Sequence, residues 1–323
     1  MTAFFKTLLW MIALTIPGWA MGQDGPWPNR PVKIIVPLGP GSAADNTARA
    51  VADLLAKQLG QAFVIENRAG AGGTLGSALV AQAKPDGYTL MVHSNSHTVS
   101  AATYKQLSYD PARDLVGVAS LALTPLVFVT SGAGGLQNLQ DLVTRAKAKP
   151  GSINYATAGI GTATHLGAER LLLAGGFTAT QVPMKSTAEA LTEVLSGRAD
   201  FFLGPIGLSS QHMKTGRLVA LAVSSTRRSP AIPNVPTTGE AGVVNAEYES
   251  WMGMFAPAGT PRAIIERLNA EVAKALRSPE VQTRYDALVM SPLIMQPDEF
   301  AAFLKKDFEM NAQLVKQVGL TPN

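Results

Sequence analysis

The chain contains no cysteine. Disulfides, thiolate metal ligands and cysteine nucleophiles are therefore excluded. Histidine is nearly as scarce: His93, His97, His165 and His212 are scattered, with no HExxH or similar pair. That scatter argues against a zinc site. Charged residues make up only 15% of the chain, and the net charge of +4 comes from basic residues spread along it rather than gathered in runs. A nucleic-acid groove needs such runs, so nucleic acid is not an expected partner. Beyond the first residues, no apolar stretch reaches the length of a membrane span. There is no GxxxxGK[ST] phosphate loop and no GxSxG nucleophile elbow. The glycines of "GAGGTLG" are spaced Gly70-x-Gly72-xxx-Gly76, which is not the GxGxxG dinucleotide pattern. No local arrangement assembles Ser, His and Asp as a triad, so the residues make no positive case for an enzyme.

What is present is a 323-residue chain that is 46% hydrophobic, enough for one large or two modest domains. It opens with a targeting pattern: Lys6, then the apolar run Thr7–Ala20, then Ala20 and Gly22 at the −3 and −1 positions of a cut after Gly22. The competing reading is a membrane anchor. The run is short for a span, and Pro17 and Gly18 break it near the cut. Residues 1–22 are expected to be a cleaved signal peptide, and the mature protein to be exported and soluble.

Past the leader, short β-prone runs alternate with amphipathic stretches. "VKIIVPL", "AFVIENR" and "YTLMVHS" read as strands, separated by the helical stretches "ADNTARAVADLLAKQLG" and "GTLGSALVAQAKPDG". This β-α-β-α-β order implies a mostly parallel sheet covered by helices. A second α/β unit occupies about 123–245. Two long extended runs, Leu115–Ser131 and Glu247–Pro261, look like crossings between units. Two C-terminal helices, with Pro261 and Pro297 where helix starts tolerate proline, would return to the first unit. The expectation is a bilobed α/β protein with domain 1 at 23–122 plus 252–323 and domain 2 at 123–251. A ligand cleft lies between the lobes of such a protein, and two strands form the hinge.

In open α/β sheets, ligands gather beyond the C-terminal ends of strands. Four small-residue turns fall there: Pro37–Asp45, Arg68–Gly76, Ser94–Thr98 and Thr157–His165. Glycines let the backbone approach a ligand, and helix starts offer unpaired amides with partial positive charge. An anion is the natural guest. Ser42, Thr74, Ser96, Thr162 and Thr164 add hydroxyls. Each turn alone reads more readily as plain N-capping and turn formation, and it is their number at equivalent strand ends that favours a cleft. Asp45 divides between a helix cap and a residue organising water or taking a donor from the ligand. Arg68 divides between facing a carboxylate and a surface role. His97 and His165, although in candidate turns, fit structural hydrogen bonding better than catalysis.

These motifs resemble the periplasmic solute receptors of tripartite tricarboxylate transporters, the Bug type. The residues carrying the resemblance are "WPNRPVKIIVP", "ENRAGAGGTLG", "AKPDGYTLM", "INYATAGIGTATHLGAERL", "LSGRADFF", "GRLVALAVSS", "RRSPAIPNVPTTGEAG", "SWMGMFAPAGTP" and "QPDEFAAF". They span nearly the whole mature chain in family order. The resemblance implies a type II periplasmic-binding-protein fold closing on a small carboxylate. It also implies a periplasmic location, no cofactor or metal, a monomer, and a membrane permease of one large and one small subunit as partner. It places the ligand against Leu38, Gly39, Pro40, Gly41, Ser42 and Asp45, with donors from Gly72, Gly73 and Thr74 and from Ser94, Ser96 and His97. Lobe two would add Thr157, Gly161, Thr162, Thr164 and His165, with Met184 and Gly204 beside them.

The chain departs from the family pattern at four of these positions. Leu38 replaces an aromatic, Ser42 a glycine, Met184 a tyrosine, and Gly204 stands where many relatives carry aspartate. Losing two aromatics and an acid suits a larger or more apolar acid, such as an aromatic carboxylate. Two rival readings are a receptor that presents its closed form to a membrane sensor kinase, and an exported hydrolase using His165 or His97.

Overall fold

The structure, a computed structural model, describes residues 26–320. The expected signal peptide lies outside the described residues. The first lobe begins with β1 (Val32–Val36), whose side chains are almost all buried. Then come α1 (Ala43–Leu59), β2 (Phe63–Asn67), α2 (Thr74–Ala81), β3 (Thr89–Ser94), α3 (Ser96–Thr103) and β4 (Leu115–Thr124). The second lobe contains β5 (Leu126–Ser131), α4 (Leu139–Ala148), β6 (Asn154–Thr157), α5 (Ala163–Gly175), β7 (Thr180–Pro183), α6 (Thr187–Leu195), β8 (Phe201–Pro205), α7 (Ile206–Lys214) and β9 (Leu218–Val223). The chain returns through β10 (Ser250–Pro257), α8 (Arg262–Arg277), α9 (Pro279–Ala287), β11 (Ser291–Pro292) and α10 (Pro297–Gln317).

Two sheets result, in the orders β11-β4-β10-β3-β1-β2 and β7-β6-β8-β5-β9. The strands that end in candidate turns are parallel: β1 pairs with β2 and β3, and β6 with β7 and β8. The sheets are nevertheless mixed rather than mostly parallel. β10 runs antiparallel to β3 and β4, and β5 antiparallel to β8 and β9. The cause is connectivity. β5 and β10 are the strands by which the chain arrives from the other lobe, so they start at the edge where their neighbours end.

The single apolar run Leu115–Ser131 is cut at Pro125, which cannot donate to a ladder. The first crossing sits there. The second is pinned at both ends: Ser224 N donates to Leu126 O (3.0 Å), Tyr248 N to Ser224 O (2.8 Å), and Ser224 Oγ to Tyr248 O (2.6 Å). Asn95 adds bonds to Tyr248 Oη (3.1 Å) and Glu249 O (3.3 Å), and accepts one from Ser250 Oγ (3.3 Å).

Each sheet has its own core. One face of sheet one buries Ile34, Val36, Leu90 and Met254 with Leu268 and Val272 of α8, and the other buries Met91, Trp251 and Phe255 with Phe300 of α10. Phe128, Tyr155, Phe201 and Leu221 fill one face of sheet two. The C-terminal helices do return to lobe one. Asn269 of α8 donates to Val118 O (2.9 Å) and Met295 O (3.0 Å), sealing two backbone acceptors. The end of α10 also bridges the lobes: Leu314 and Val315 pack with Val99 of α3 and Leu166 of α5.

Candidate functional site

The first turn links β1 to α1. Ser42 caps the helix, accepting from Asp45 N at 3.2 Å. Asp45, the third residue of α1, is 2% exposed. Its Oδ2 accepts from Gly41 N (2.9 Å) and Arg49 Nε (3.0 Å), and its Oδ1 from Asn67 Nδ2 (3.0 Å). Asn67 also donates to Leu38 O (3.0 Å), so turn, helix and β2 are tied into one unit. Burial alone would raise the Asp45 pKa, but the bonds from Arg49, Gly41 and Asn67 outweigh it and hold the carboxyl below its ordinary value. The carboxylate is spent on protein donors. Asp45 therefore shapes the turn, with most of its acceptor capacity taken by protein donors.

The turn of lobe two links β6 to α5 by the same design. Thr162 occupies the cap position, donating to Gly159 O (2.8 Å) and lying 2.9 Å from Thr164 Oγ1. Thr164 Oγ1 accepts from Ala158 N (2.9 Å). Gly161 N donates to His165 Nδ1 at 3.2 Å. Burial lowers the His165 pKa to about 4, so the ring is neutral. With Nδ1 accepting, the proton is on Nε2, 3.8 Å from Glu169 Oε1. Tyr155 also donates to that carboxylate.

The two turns share the spacing Gly-x-Gly-[Ser/Thr]-Ala-x-[Asp/His], at 39–45 and 159–165. In both, the second glycine has positive φ (+76° at Gly41, +74° at Gly161). In both, the third helical residue accepts that glycine's N–H. The N–H groups of the first two helical residues, Ala43 and Ala44 in one lobe and Ala163 and Thr164 in the other, come too early for intrahelical partners. The helix dipole adds partial positive charge at both places. This internal repeat is visible in the sequence, but only once a carboxylate and an imidazole are seen as equivalent acceptors.

Close contacts bring the turns together. A methyl group at Gly73 would come within 2.5 Å of His93 Nε2 and 3.3 Å of Pro37, and one at Gly76 within 3.0 Å of Pro37. The second turn thus lies against the first. A methyl at Gly72 would come within 2.8 Å of Tyr104 Oη and 2.9 Å of Ile160 O, which belongs to the lobe-two turn. First, second and fourth turns converge along one interlobe seam, with Tyr104 and His93 beside them. Sequence reading passed over both of these residues.

The remaining candidates fall as follows. Thr74 Oγ1 donates to Ala71 O (2.9 Å), and Ser94 Oγ to Ser96 Oγ (3.0 Å). Thr157 Oγ1 accepts from Gln181 Nε2 (2.9 Å) and Gly159 N (3.3 Å). Met184 N donates to Thr157 O (2.9 Å), while its side chain packs on the lobe-two core. Gly204 is covered by the Phe202 ring, which a β-carbon there would strike. His97 does not belong to the cleft. "SNSHT" opens α3 instead of forming a loop, and the helical phase turns the His97 ring into the core, with centroids 4.4 Å from Phe255 and 5.6 Å from Phe308. Arg68 pairs with Glu66 and takes the surface role. Pro40 and Gly41 are exposed, and Leu38 and Gly39 half-buried. Among the described residues, no three His, Asp or Glu side chains are placed to hold a metal ion.

A cavity of about 580 Å³ also lies between the lobes, lined by both crossings, by 224–231 and by the end of α9 through Ser291. None of its lining residues belongs to the four turns. It borders β4 and β11 in one sheet and the end of β9 in the other, whereas the turns follow β1, β2, β3 and β6. It is a different region of the interlobe seam.

Comparison with known proteins agrees with this architecture. The sequence profile of a family described as "Tripartite tricarboxylate transporter family receptor" matches residues 47–320. The periplasmic binding protein BugD is 32% identical, with a TM-score of 0.84 over 91% of this chain and 99% of its own. A Rhodopseudomonas palustris protein solved with adipate is 29% identical, with a TM-score of 0.87 over 92% of this chain and all of its own. MatC from the same organism, solved with bound malate, is 31% identical, with a TM-score of 0.83 over 90% of this chain and all of its own.

Proposed function

Since the chain belongs to the tripartite tricarboxylate transporter receptor family, whose members are solute receptors rather than enzymes, we propose that it binds a small organic carboxylate between its lobes and delivers it to a membrane permease. The observation that carries the reading is the repeated helix-start turn. Each lobe ends a parallel strand in a glycine turn whose loop amide is satisfied internally, leaving the first helical amides for an anion. Two such starts on one seam suit a ligand that is anionic at one end or both. The hydroxyl of Ser42, which only accepts within its turn, keeps its proton for a further contact at the same place.

The mechanism is closure about the two crossings at Pro125 and 224–250, without covalent chemistry. Closure brings both helix starts to the same ligand and removes water from it, which strengthens charge-assisted hydrogen bonds. The permease would have one large and one small subunit, and the receptor would act in the periplasm as a monomer after losing residues 1–22. Among the described residues, no helix is long and apolar enough to cross a membrane. Relatives hold a four-carbon hydroxydiacid in one case and a six-carbon diacid in another. The aromatics missing at 38 and 184 extend the range to be tested toward aromatic acids.

A thermal-shift screen tests the reading. The mature chain is heated with aliphatic di- and tricarboxylates, acidic amino acids and benzoate-like acids, each beside its neutral amide. A ligand well above its Kd raises the midpoint because it binds only the folded form. Acids that shift the midpoint while their amides do not support an anion cleft. Amides as effective as acids would refute it.

A further inference from the structure

Tyr104 follows the last residue of α3 and stands where lobe one meets the helix start of lobe two. A methyl group at Gly72 would come within 2.8 Å of its hydroxyl and 2.9 Å of Ile160 O, and one at Gly161 within 3.4 Å of Tyr104 Cε2 and 2.8 Å of Thr103 Oγ1. The ring therefore sits between a turn of one lobe and a turn of the other. The turn geometry alone does not require this crowding. Gly41 holds the matching position in lobe one with nearly the same φ, and a methyl there would meet nothing within 4 Å. What crowds Gly161 is the end of α3. Burial raises the Tyr104 pKa, so the phenol stays neutral in the seam.

We propose that Tyr104 is the clasp of the cleft: its ring joins the lobes only when they are closed, and so it governs how long an acid is retained and how large an acid fits. The proposal rests on the carboxylate-cleft reading above. The ring is carried by lobe one, so parting the lobes strips it of its contact with the Gly161 turn and exposes it to water. Each closed molecule is held by that contact, and a ligand between the lobes leaves only after it breaks. Such an effect falls on the dissociation rate rather than on association. An acid thick enough to hold the seam apart would lose the clasp, so Tyr104 selects against bulk. It also supplies an aromatic wall in a chain that lacks aromatics at 38 and 184.

The test uses the whole mature chain with malate, adipate and benzoate as probes, and follows release by stopped-flow displacement. Tyr104→Ala is expected to raise the dissociation rate of any probe the wild type holds by at least tenfold, with association within threefold. Tyr104→Phe is expected to stay within threefold of wild type. If the alanine variant does not fold, Tyr104→Leu takes its place, with the same expectation. Equal loss in the phenylalanine and alanine variants would overturn the clasp in favour of a hydroxyl contact.

The absence of cysteine allows a second, ligand-free reading. A Thr103→Cys/Gly161→Cys pair would place the two positions within reach of a disulfide when the seam is shut. Mild oxidation should cross-link it, and several-fold more slowly when Tyr104→Ala is added. Unchanged cross-linking together with unchanged release would overturn the proposal. If the wild type holds none of the probes and no acid of the thermal-shift screen, the carboxylate reading fails, while the cross-linking rates still decide the clasp.

Discussion

Asp45→Ala separates the two roles open to this residue. Its carboxylate accepts from Gly41 N, Asn67 Nδ2 and Arg49 Nε, and the residue is 2% exposed. Alanine removes two part-buried hydrogen bonds, from the exposed Gly41 N–H and from Asn67 Nδ2, each contributing about 1 kcal/mol. The Arg49 pair adds little, because that side chain is half exposed and such pairs contribute roughly 0–1 kcal/mol. The expected loss of stability is therefore about 2 kcal/mol, read as a lower urea midpoint with an unchanged slope. Ligand affinity should fall with it, because the turn that aims the Ala43 and Ala44 amides is no longer braced. Asp45→Asn keeps the shape but not the charge, and should lie between. The pH dependence has a definite sign. A carboxyl held below its ordinary pKa of 3.8 stabilises the fold above that value, and the contribution is lost as pH falls through the folded-state pKa. An alanine variant with wild-type stability but lost affinity would refute the brace and place the carboxylate on the ligand.

Acid should weaken the fold well before carboxylates protonate. Burial depresses His93 and His97 to about 3 and His165 to about 4, so each binds a proton in the unfolded chain below pH 6.5 but not in the folded one. Stability should fall by up to about 1.4 kcal/mol per histidine per pH unit from 6.5 toward 4, and a urea midpoint that stays flat from pH 7 to 5 would contradict this. Gly204→Asp should lower the melting temperature sharply, because the Phe202 ring occupies the space of the new side chain; a variant melting like wild type would show that the ring moves aside freely. Arg49→Gln should weaken acid binding a few-fold at low salt and hardly at all above 0.5 M, where screening is nearly complete; salt-independent loss would point to a direct contact instead.

The lobes, the crossings and the order of turns were legible in the sequence because strand–turn–helix alternation leaves local marks. The extended runs Leu115–Ser131 and Glu247–Pro261 contain Pro125 and the entry into β10, where the chain changes sheet. Strand direction was not legible. β5 and β10 are buried on both faces and read like the fully buried strands of a parallel sheet, and their direction follows from connectivity rather than from any local pattern. α3, α7 and α9 are short and polar, whereas the equally short α2 is apolar and closed by Pro-Asp-Gly. That omission propagated to the site. With α3 read as a loop, His97 could be turned toward the ligand and Tyr104 had no reason to be noticed. Side-chain direction follows helical phase, so one missed helix start misplaced one residue and hid another.

Both turns also solve an electrostatic problem. A carboxylate at the third position of a helix suits the helix dipole, but it opposes an anion bound at the same helix start. Lobe one has such a carboxylate and answers it with Arg49 at 3.0 Å, leaving no net charge beside the turn. Lobe two avoids the charge altogether, using a neutral histidine as the acceptor. The nearby Glu169 is pushed by burial toward its protonated form, more strongly than its bond from Tyr155 opposes this. The same bracing bond is thus made twice by different chemistry, and in neither lobe does the bracing group itself add net negative charge at the helix start. The pairing of Asp45 with Arg49 is an ordinary i,i+4 helix pair, and beside a neutral His165 it is compatible with an anion at both helix starts.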